Sequence, residues 1–174
     1  MNLSEIGAPA AELGRSRFTA EVDKAKVAAE AMPANERRTA VLDVLERCRG
    51  HVELLIFAGE ADGMTFGLRS VLARYAPKED AASQPALETP VSDRVLAEFD
   101  ALVDEGIAML REGITMETIT VVMQLAMVKM QARLVVRYAQ LGGTTRGLIA
   151  GDPMMIIARA IEEKLRGNTH DESK

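Results

Sequence analysis

Cys48 and His51 are the two residues whose types and spacing most directly suggest covalent chemistry. They stand three positions apart, so on a helix the thiol and the imidazole share one face and can act as a nucleophile and its base. No recognisable nucleophile motif surrounds them. We therefore favour the alternative, a small buried thiol beside a histidine at a helix boundary, and we predict no catalytic residue. Because Cys48 is the sole cysteine, no intramolecular disulfide forms and the expected compartment is the cytoplasm.

Metal ligands are scarce along the chain. The two histidines are His51 and His170, and no Glu-x-x-His pattern occurs. Helical bundles that bind iron or manganese use such patterns, because three or four ligands must converge on one ion. We therefore expect neither a metal site nor a cofactor.

A glycine-rich segment, residues 142–153, has features that suit a phosphate or a carboxylate. It contains four glycines and one arginine and precedes a predicted helix N-terminus. It lacks the lysine and the spacing of a P-loop. Two helix stops, a flexible turn and the helix cap Asp152 explain the same residues, and the carboxylate of Asp152 would oppose a bound anion. We favour this second interpretation and leave anion binding as the alternative.

Lys129, Arg133 and Arg137 lie four residues apart and form a basic stripe on one predicted helix. If this helix packs antiparallel to the preceding one, residues whose numbers sum to about 229 face each other. Glu98 and Asp100 then lie near Lys129 and Arg133, and internal ion pairs account for most of the stripe. The alternative is recognition of an acidic ligand, a partner peptide or a nucleic acid. Four Phe, two Tyr and no Trp offer little base stacking, which disfavours a nucleic acid.

Ten methionines are the most distinctive feature of the composition. Several of them recur on one face of the same predicted helix: Met116, Met123, Met127 and Met130, continued by Leu134, Tyr138 and Leu141. Methionine fills irregular gaps in cores and also forms adaptable binding surfaces. The regular helical period favours packing in the core. The alternative is that the stripe lines a groove for a partner helix or pairs with itself across a two-fold axis.

The spacing of apolar residues is helical nearly throughout the chain. It predicts helices over about 16–32, 35–59, 64–76, 93–112, 116–141 and 153–166. The second of these contains Gly50, and a break there is the alternative. Residues 59–63 are predicted to form a turn. Ser92 or Asp93 is expected to cap the fourth helix, Thr115 the fifth, and Gly142 to end the fifth.

These elements predict one all-α domain over residues 1–174, a bundle of five or six helices with the apolar helix 116–141 at its centre. Residues 77–92 contain three of the six prolines and are expected to form a flexible linker between two helical halves. Residues 168–174 are expected to be disordered. The most apolar stretch, 119–136, contains polar and charged residues, so we expect no membrane span and no membrane partner.

The function that we predict from the sequence is a non-enzymatic cytoplasmic interaction protein, such as an adaptor, an antiactivator or a small acidic chaperone. A Met-lined groove would bind an amphipathic helix of a partner protein, and a homodimer is expected. The predicted binding residues are Met116, Met123, Met127, Met130, Arg133, Arg137 and Tyr138. One alternative is a sensor that holds a small apolar ligand among Met123, Met127, Met130, Arg137 and Tyr138. Another is an enzyme that uses carboxylates with Arg133 or Arg137.

Overall fold

A computed structural model describes residues 8–75, 89–111, 113–157 and 161 of the chain. These residues form five long helices, and no strand occurs among them. The helices are α1 Ala8–Glu30, α2 Glu36–Gly50, α3 Val52–Tyr75, α4 Val91–Met109 and α5 Met116–Gly151. The predicted all-α bundle with a long apolar helix packed against the others is confirmed.

All five helices contribute side chains to one apolar core. Its largest fully buried members are Phe18, Leu45, Leu55, Phe99, Leu110 and Leu125. The rings of Phe18 and Phe99 lie 5.7 Å apart, which joins α1 to α4. α2 and α4 run antiparallel, since a side chain at Gly113 would contact Arg37 and one at Gly106 would contact Val44. A core shared by every helix makes the bundle a single packing unit.

A break after Gly50 separates α2 from α3, so the prediction of one helix over 35–59 is wrong and the alternative break is confirmed. His51 sits at the break with its backbone N–H donating to the carbonyl of Cys48 at 3.1 Å. α3 then continues through residues 59–63, where the sequence predicts a turn. The predicted turn is wrong because its two glycines serve close packing between helices.

That close packing is a glycine contact between α3 and α5. Its members are Gly59, Gly63 and Gly67 of α3 and Gly143, Gly147 and Gly151 of α5, spaced four residues apart in each helix. A Cβ atom at Gly63 would lie 2.1 Å from the carbonyl oxygen of Gln140, and one at Gly143 would lie 2.2 Å from that of Glu60. The paired residue numbers rise together, so the two helices are parallel. Only glycine lets the two backbones approach this closely.

α5 is longer than predicted, because it continues through Gly142 and Gly143 to Gly151. Both glycines are buried, Gly143 against Glu60 of α3, and neither ends the helix. Residues 142–151 are therefore helical, so the favoured prediction of helix stops and a flexible turn is wrong, and the loop that the anion-binding alternative needs does not form there. At the other end the prediction is confirmed: Thr115 caps α5 and exchanges hydrogen bonds with Thr118 in a capping box.

The structure describes only part of the predicted sixth helix and of the predicted linker. Residues 153–157 are helical, and the carboxylate of Asp152 accepts a hydrogen bond from the backbone of Met154 at 2.9 Å, as expected for a cap. The rest of the predicted sixth helix, apart from residue 161, lies outside the described residues. So do residues 77–88 of the predicted linker and the predicted disordered tail, 168–174.

By length and composition alone, α5 is apolar enough to cross a membrane. Its most apolar stretch of 18 residues has a mean hydropathy of 1.5, and 33% of that stretch is buried inside the bundle. A helix with one face in a protein core meets the same criterion, so hydropathy does not by itself assign α5 to a lipid environment.

Candidate functional site

The basic stripe on α5 is largely neutralised by α4. Lys129 Nζ lies 2.9 Å from a carboxylate oxygen of Asp104, and Arg133 binds both oxygens of Asp100 at 2.5 and 3.3 Å. The antiparallel packing and the role of Asp100 are confirmed, but the residue numbers of the two short ion pairs sum to 233 rather than to 229. The second acidic partner is Asp104, which pairs with Lys129. It lies one turn beyond Asp100 and takes the place that was predicted for Glu98. Lys129 and Arg133 therefore act as structural ion-pair residues that join the two helices.

The four methionines predicted on one face of α5 do share a face, but it is the solvent-facing one. Met116, Met123, Met127 and Met130 are 74, 64, 39 and 45% exposed. The expectation that they pack in the core is wrong. The core-facing residues of α5 form what we call the inner seam: Val121, Leu125, Val128, Ala132, Val135, Ala139 and Gly142.

The exposed face of α5 carries a second apolar repeat, which we call the outer seam. Its members are Met116, Thr120, Met123, Met127, Met130, Leu134, Arg137, Leu141, Thr144 and Leu148, spaced alternately by four and three residues. This is the heptad spacing of a coiled coil, and the inner seam follows it too. α5 thus has two seams on opposite faces. The bundle fills the inner one, and the outer one spans about 48 Å along the helix.

Arg137 and Tyr138 point to different neighbours although they are adjacent in sequence. The Tyr138 hydroxyl accepts a hydrogen bond from Arg17 at 3.3 Å, and its ring lies beside Gly14, so Tyr138 packs against α1. Arg137 lies on the other side of the helix, toward α3 and α4. The five residues predicted to surround a sensor pocket therefore do not line one cavity.

A cleft of about 640 Å³ opens where α3, the start of α4 and α5 meet. Its apolar lining includes Phe66, Val91 and Leu141, which are 63, 38 and 64% exposed. Its floor includes the carboxylate of Asp62, which accepts hydrogen bonds from the backbone N–H groups of Val91 at 3.0 Å and Ser92 at 2.8 Å. Asp62 thus caps α4 from a distant helix. The sequence predicts a local cap, Ser92 or Asp93, and that prediction is wrong.

Three arginines surround this cleft: Arg69 on α3, Arg94 on α4 and Arg137 on α5. Among the residues that the structure describes, their guanidinium groups have no hydrogen-bond or ion-pair partner. Sequence reasoning identified Arg137 but not the other two. No local signal in the sequence identifies Arg69 and Arg94, because only the packing of α3, α4 and α5 brings them to one cleft with Arg137.

A second cleft of about 720 Å³ lies between α1 and α3. The one cationic side chain among the described lining residues, Arg15, forms ion pairs with Glu12 and Glu53. The hydrogen bond to Glu53 is the main cause that raises the pKa of Arg15 above its ordinary value. Because Arg15, Glu12 and Glu53 neutralise one another, none of these three side chains is left unpaired to bind a charged ligand.

Comparisons with known proteins do not assign a function. No protein-family model, curated protein or solved structure matches the chain at a significant level.

Cys48 and His51 are close in sequence but do not form a catalytic pair in this arrangement. The Cys48 side chain is fully buried, and burial raises the pKa of its thiol to about 12. His51 Nδ1 lies 2.8 Å from the carbonyl oxygen of Arg47, and its ring meets Phe99 edge-on. A protonated, inaccessible thiol is a poor nucleophile. Within the described residues, no three His, Cys, Asp or Glu side chains are grouped so as to hold a metal ion.

Proposed function

We propose that this chain is a non-catalytic interaction protein whose outer seam docks a helix, and that the helix is α5 of a second copy. The single observation that supports this most strongly is the heptad repeat on the exposed face of α5. A helix of a monomer normally exposes polar residues there. An apolar seam of coiled-coil spacing is instead typical of a helix that packs against another helix on that side.

The size of the outer seam fits a protein interface. Its six large exposed apolar side chains are Met116, Met123, Met127, Met130, Leu141 and Leu148. Together they expose roughly 600 Å² per copy, at the upper end of the ~300–600 Å² patches of monomers and of the order of the ~800 Å² that each partner contributes to a standard interface. Only Arg137 is charged in this seam, so little desolvation of charge opposes docking.

The position of Arg137 favours antiparallel pairing of the two copies of α5. In a parallel pair, the two Arg137 side chains would lie at the same level and repel each other. In an antiparallel pair with residue numbers that sum to 264, Arg137 lies beside Met127 and the two arginines are separated by about 15 Å. The same register places Leu141 beside Met123 and Thr120 beside Thr144, so that apolar residues meet apolar ones.

The mass in solution tests the proposal. We expect light scattering after size-exclusion chromatography to give twice the chain mass of 18.9 kDa at micromolar concentration. The double variant Met123→Glu/Met127→Glu places two charges in the seam and is expected to give the monomer mass. Because both side chains face solvent in the single chain, the variant should keep the helical circular dichroism and the cooperative melting of the wild type.

A matched control uses two methionines of similar exposure outside the seam. Met154 and Met155 are 70 and 38% exposed, and Met154→Glu/Met155→Glu should remain dimeric. A wild-type chain that is monomeric would contradict the proposal, as would equal loss of the dimer in both double variants. A monomer that binds only a helix of another protein would give the outer seam a different occupant and would also overturn the proposed dimer.

A further inference from the structure

We propose that the cleft between α3, α4 and α5 binds a small amphipathic anion, an apolar chain or ring that ends in a carboxylate or phosphate group. The cleft lies at the edge of the outer seam and shares Arg137, Leu141 and Thr144 with it, whereas its other lining residues belong to α3, α4 and the residues before α4 or to other positions of α5. Its volume of about 640 Å³ lies within the range of small-molecule sites.

The side chains that line the cleft can contact both the apolar body and the anionic head group of such a ligand. Each helix brings one apolar residue and one arginine a single turn apart. The pairs are Phe66 and Arg69 on α3, Val91 and Arg94 on α4, and Leu141 and Arg137 on α5. The apolar side chains can cover a hydrocarbon body, and the guanidinium groups can hold a carboxylate or phosphate through charged hydrogen bonds.

The charge balance in the cleft favours an anion over a cation. Among the described residues of the lining, Asp62 is the one acidic residue, and both of its oxygens already accept hydrogen bonds from the first turn of α4. The three arginines thus leave the cleft cationic on a chain whose net charge is −5. Elsewhere on α5, the cations Lys129, Arg133 and Arg146 are paired with acidic residues.

Arg94 adds a positive charge at the start of α4. It lies in the first turn of α4, where the positive end of the helix dipole repels a cation. The carboxylate of Asp62 caps the same helix end and offsets part of this repulsion, but no described side chain forms an ion pair with Arg94. A bound carboxylate or phosphate would relieve this repulsion and would contact Arg94 at the same time.

Calorimetric titration of the full chain with octanoate and with octyl phosphate tests the site and distinguishes the two head groups. We expect at least one of them to bind at millimolar concentration or below, with one ligand per chain. Octanol and octyltrimethylammonium have the same chain without the negative charge, and we expect each to bind at least tenfold more weakly.

The variant Arg69→Gln/Arg94→Gln removes two of the three cations without touching the outer seam. We expect it to raise the dissociation constant of the anion roughly tenfold, since each exposed charge contact adds a modest factor. The matched control is Arg74→Gln/Arg111→Gln, which removes two exposed arginines outside the cleft and should leave binding unchanged.

The variant Met123→Glu/Met127→Glu separates this site from the proposed dimer. It should bind the anion at least as tightly as the wild type does, because neither methionine lines the cleft and the monomer leaves Arg137 and Leu141 uncovered. If neither anion binds, if octanol binds as tightly as octanoate, or if the two arginine double variants behave alike, the proposed site is wrong. Loss of binding in the methionine variant would place the ligand on the outer seam, which also contradicts the proposed site.

Discussion

At the scale of single residues, Cys48 shows how burial changes chemistry. The sequence allows a nucleophile paired with His51, whereas the structure encloses the thiol in the core at the end of α2. Desolvation is the largest cause that raises its pKa to about 12, and the charge of Arg47 opposes it only in part. The neutral thiol is therefore the form that the folded chain holds.

This raised pKa makes stability fall at alkaline pH. The thiol ionises near pH 9 when the chain is unfolded and near pH 12 when it is folded, so its contribution is complete below pH 9 and is lost as the pH rises toward 12. At pH 10 the free energy of unfolding should be about 1 kcal/mol lower than at pH 7 on account of this group. Urea unfolding of the wild type and of Cys48→Ala at the two pH values measures this difference. The variant has no thiol at position 48, so its free energy of unfolding should decrease less between pH 7 and pH 10. Parallel pH profiles would contradict the prediction.

At the scale of elements, the glycine contact decides how α3 and α5 pack. The sequence pattern treats glycine as a helix stop, and that rule fails at Gly63 and Gly143 because both lie inside helices. At both sites a Cβ atom would overlap the backbone of the opposite helix. Glycine there reduces helix propensity by about 1 kcal/mol but permits close packing along two helices.

Two glycine variants separate these effects. Gly63→Ala should lower the free energy of unfolding by about 1–3 kcal/mol, since the new Cβ atom would lie 2.1 Å from a backbone oxygen and the helices must move apart. Gly50→Ala should raise it by about 0.5–1 kcal/mol, because no atom lies within 4 Å of its Cβ position and alanine favours the helix. Chemical denaturation measures both. Equal effects would show that the glycines matter only through helix propensity.

At the scale of the whole molecule, the proposed antiparallel pairing of α5 predicts which residues lie together across the dimer. In a Cys48→Ala background, a chain with both Met123→Cys and Leu141→Cys should form an intermolecular disulfide under mild oxidation, because the register that sums to 264 places these positions side by side. Each single cysteine variant should cross-link much less. Non-reducing electrophoresis measures the fraction, and efficient cross-linking of Met123→Cys alone would indicate a parallel pair.

The sequence by itself determined the features that depend on neighbouring residues along the chain. The helical period, the cap at Thr115 and the tight turn between α4 and α5 set the all-α fold and placed Asp100 against the basic residues of α5. These signals are reliable because backbone geometry and short connections act locally. The composition of α5 also showed that the helix is apolar on most of its circumference.

Only the tertiary structure decided which face of α5 is covered. The inner and outer seams have the same period and both are mostly apolar, so the period alone does not decide which seam is covered; that depends on which neighbours fit closely against residues such as Val128 and Ala132. The capping of α4 by Asp62 and the grouping of Arg69, Arg94 and Arg137 around one cleft join residues that are far apart in sequence. Such contacts arise when helices pack, and no local pattern encodes them.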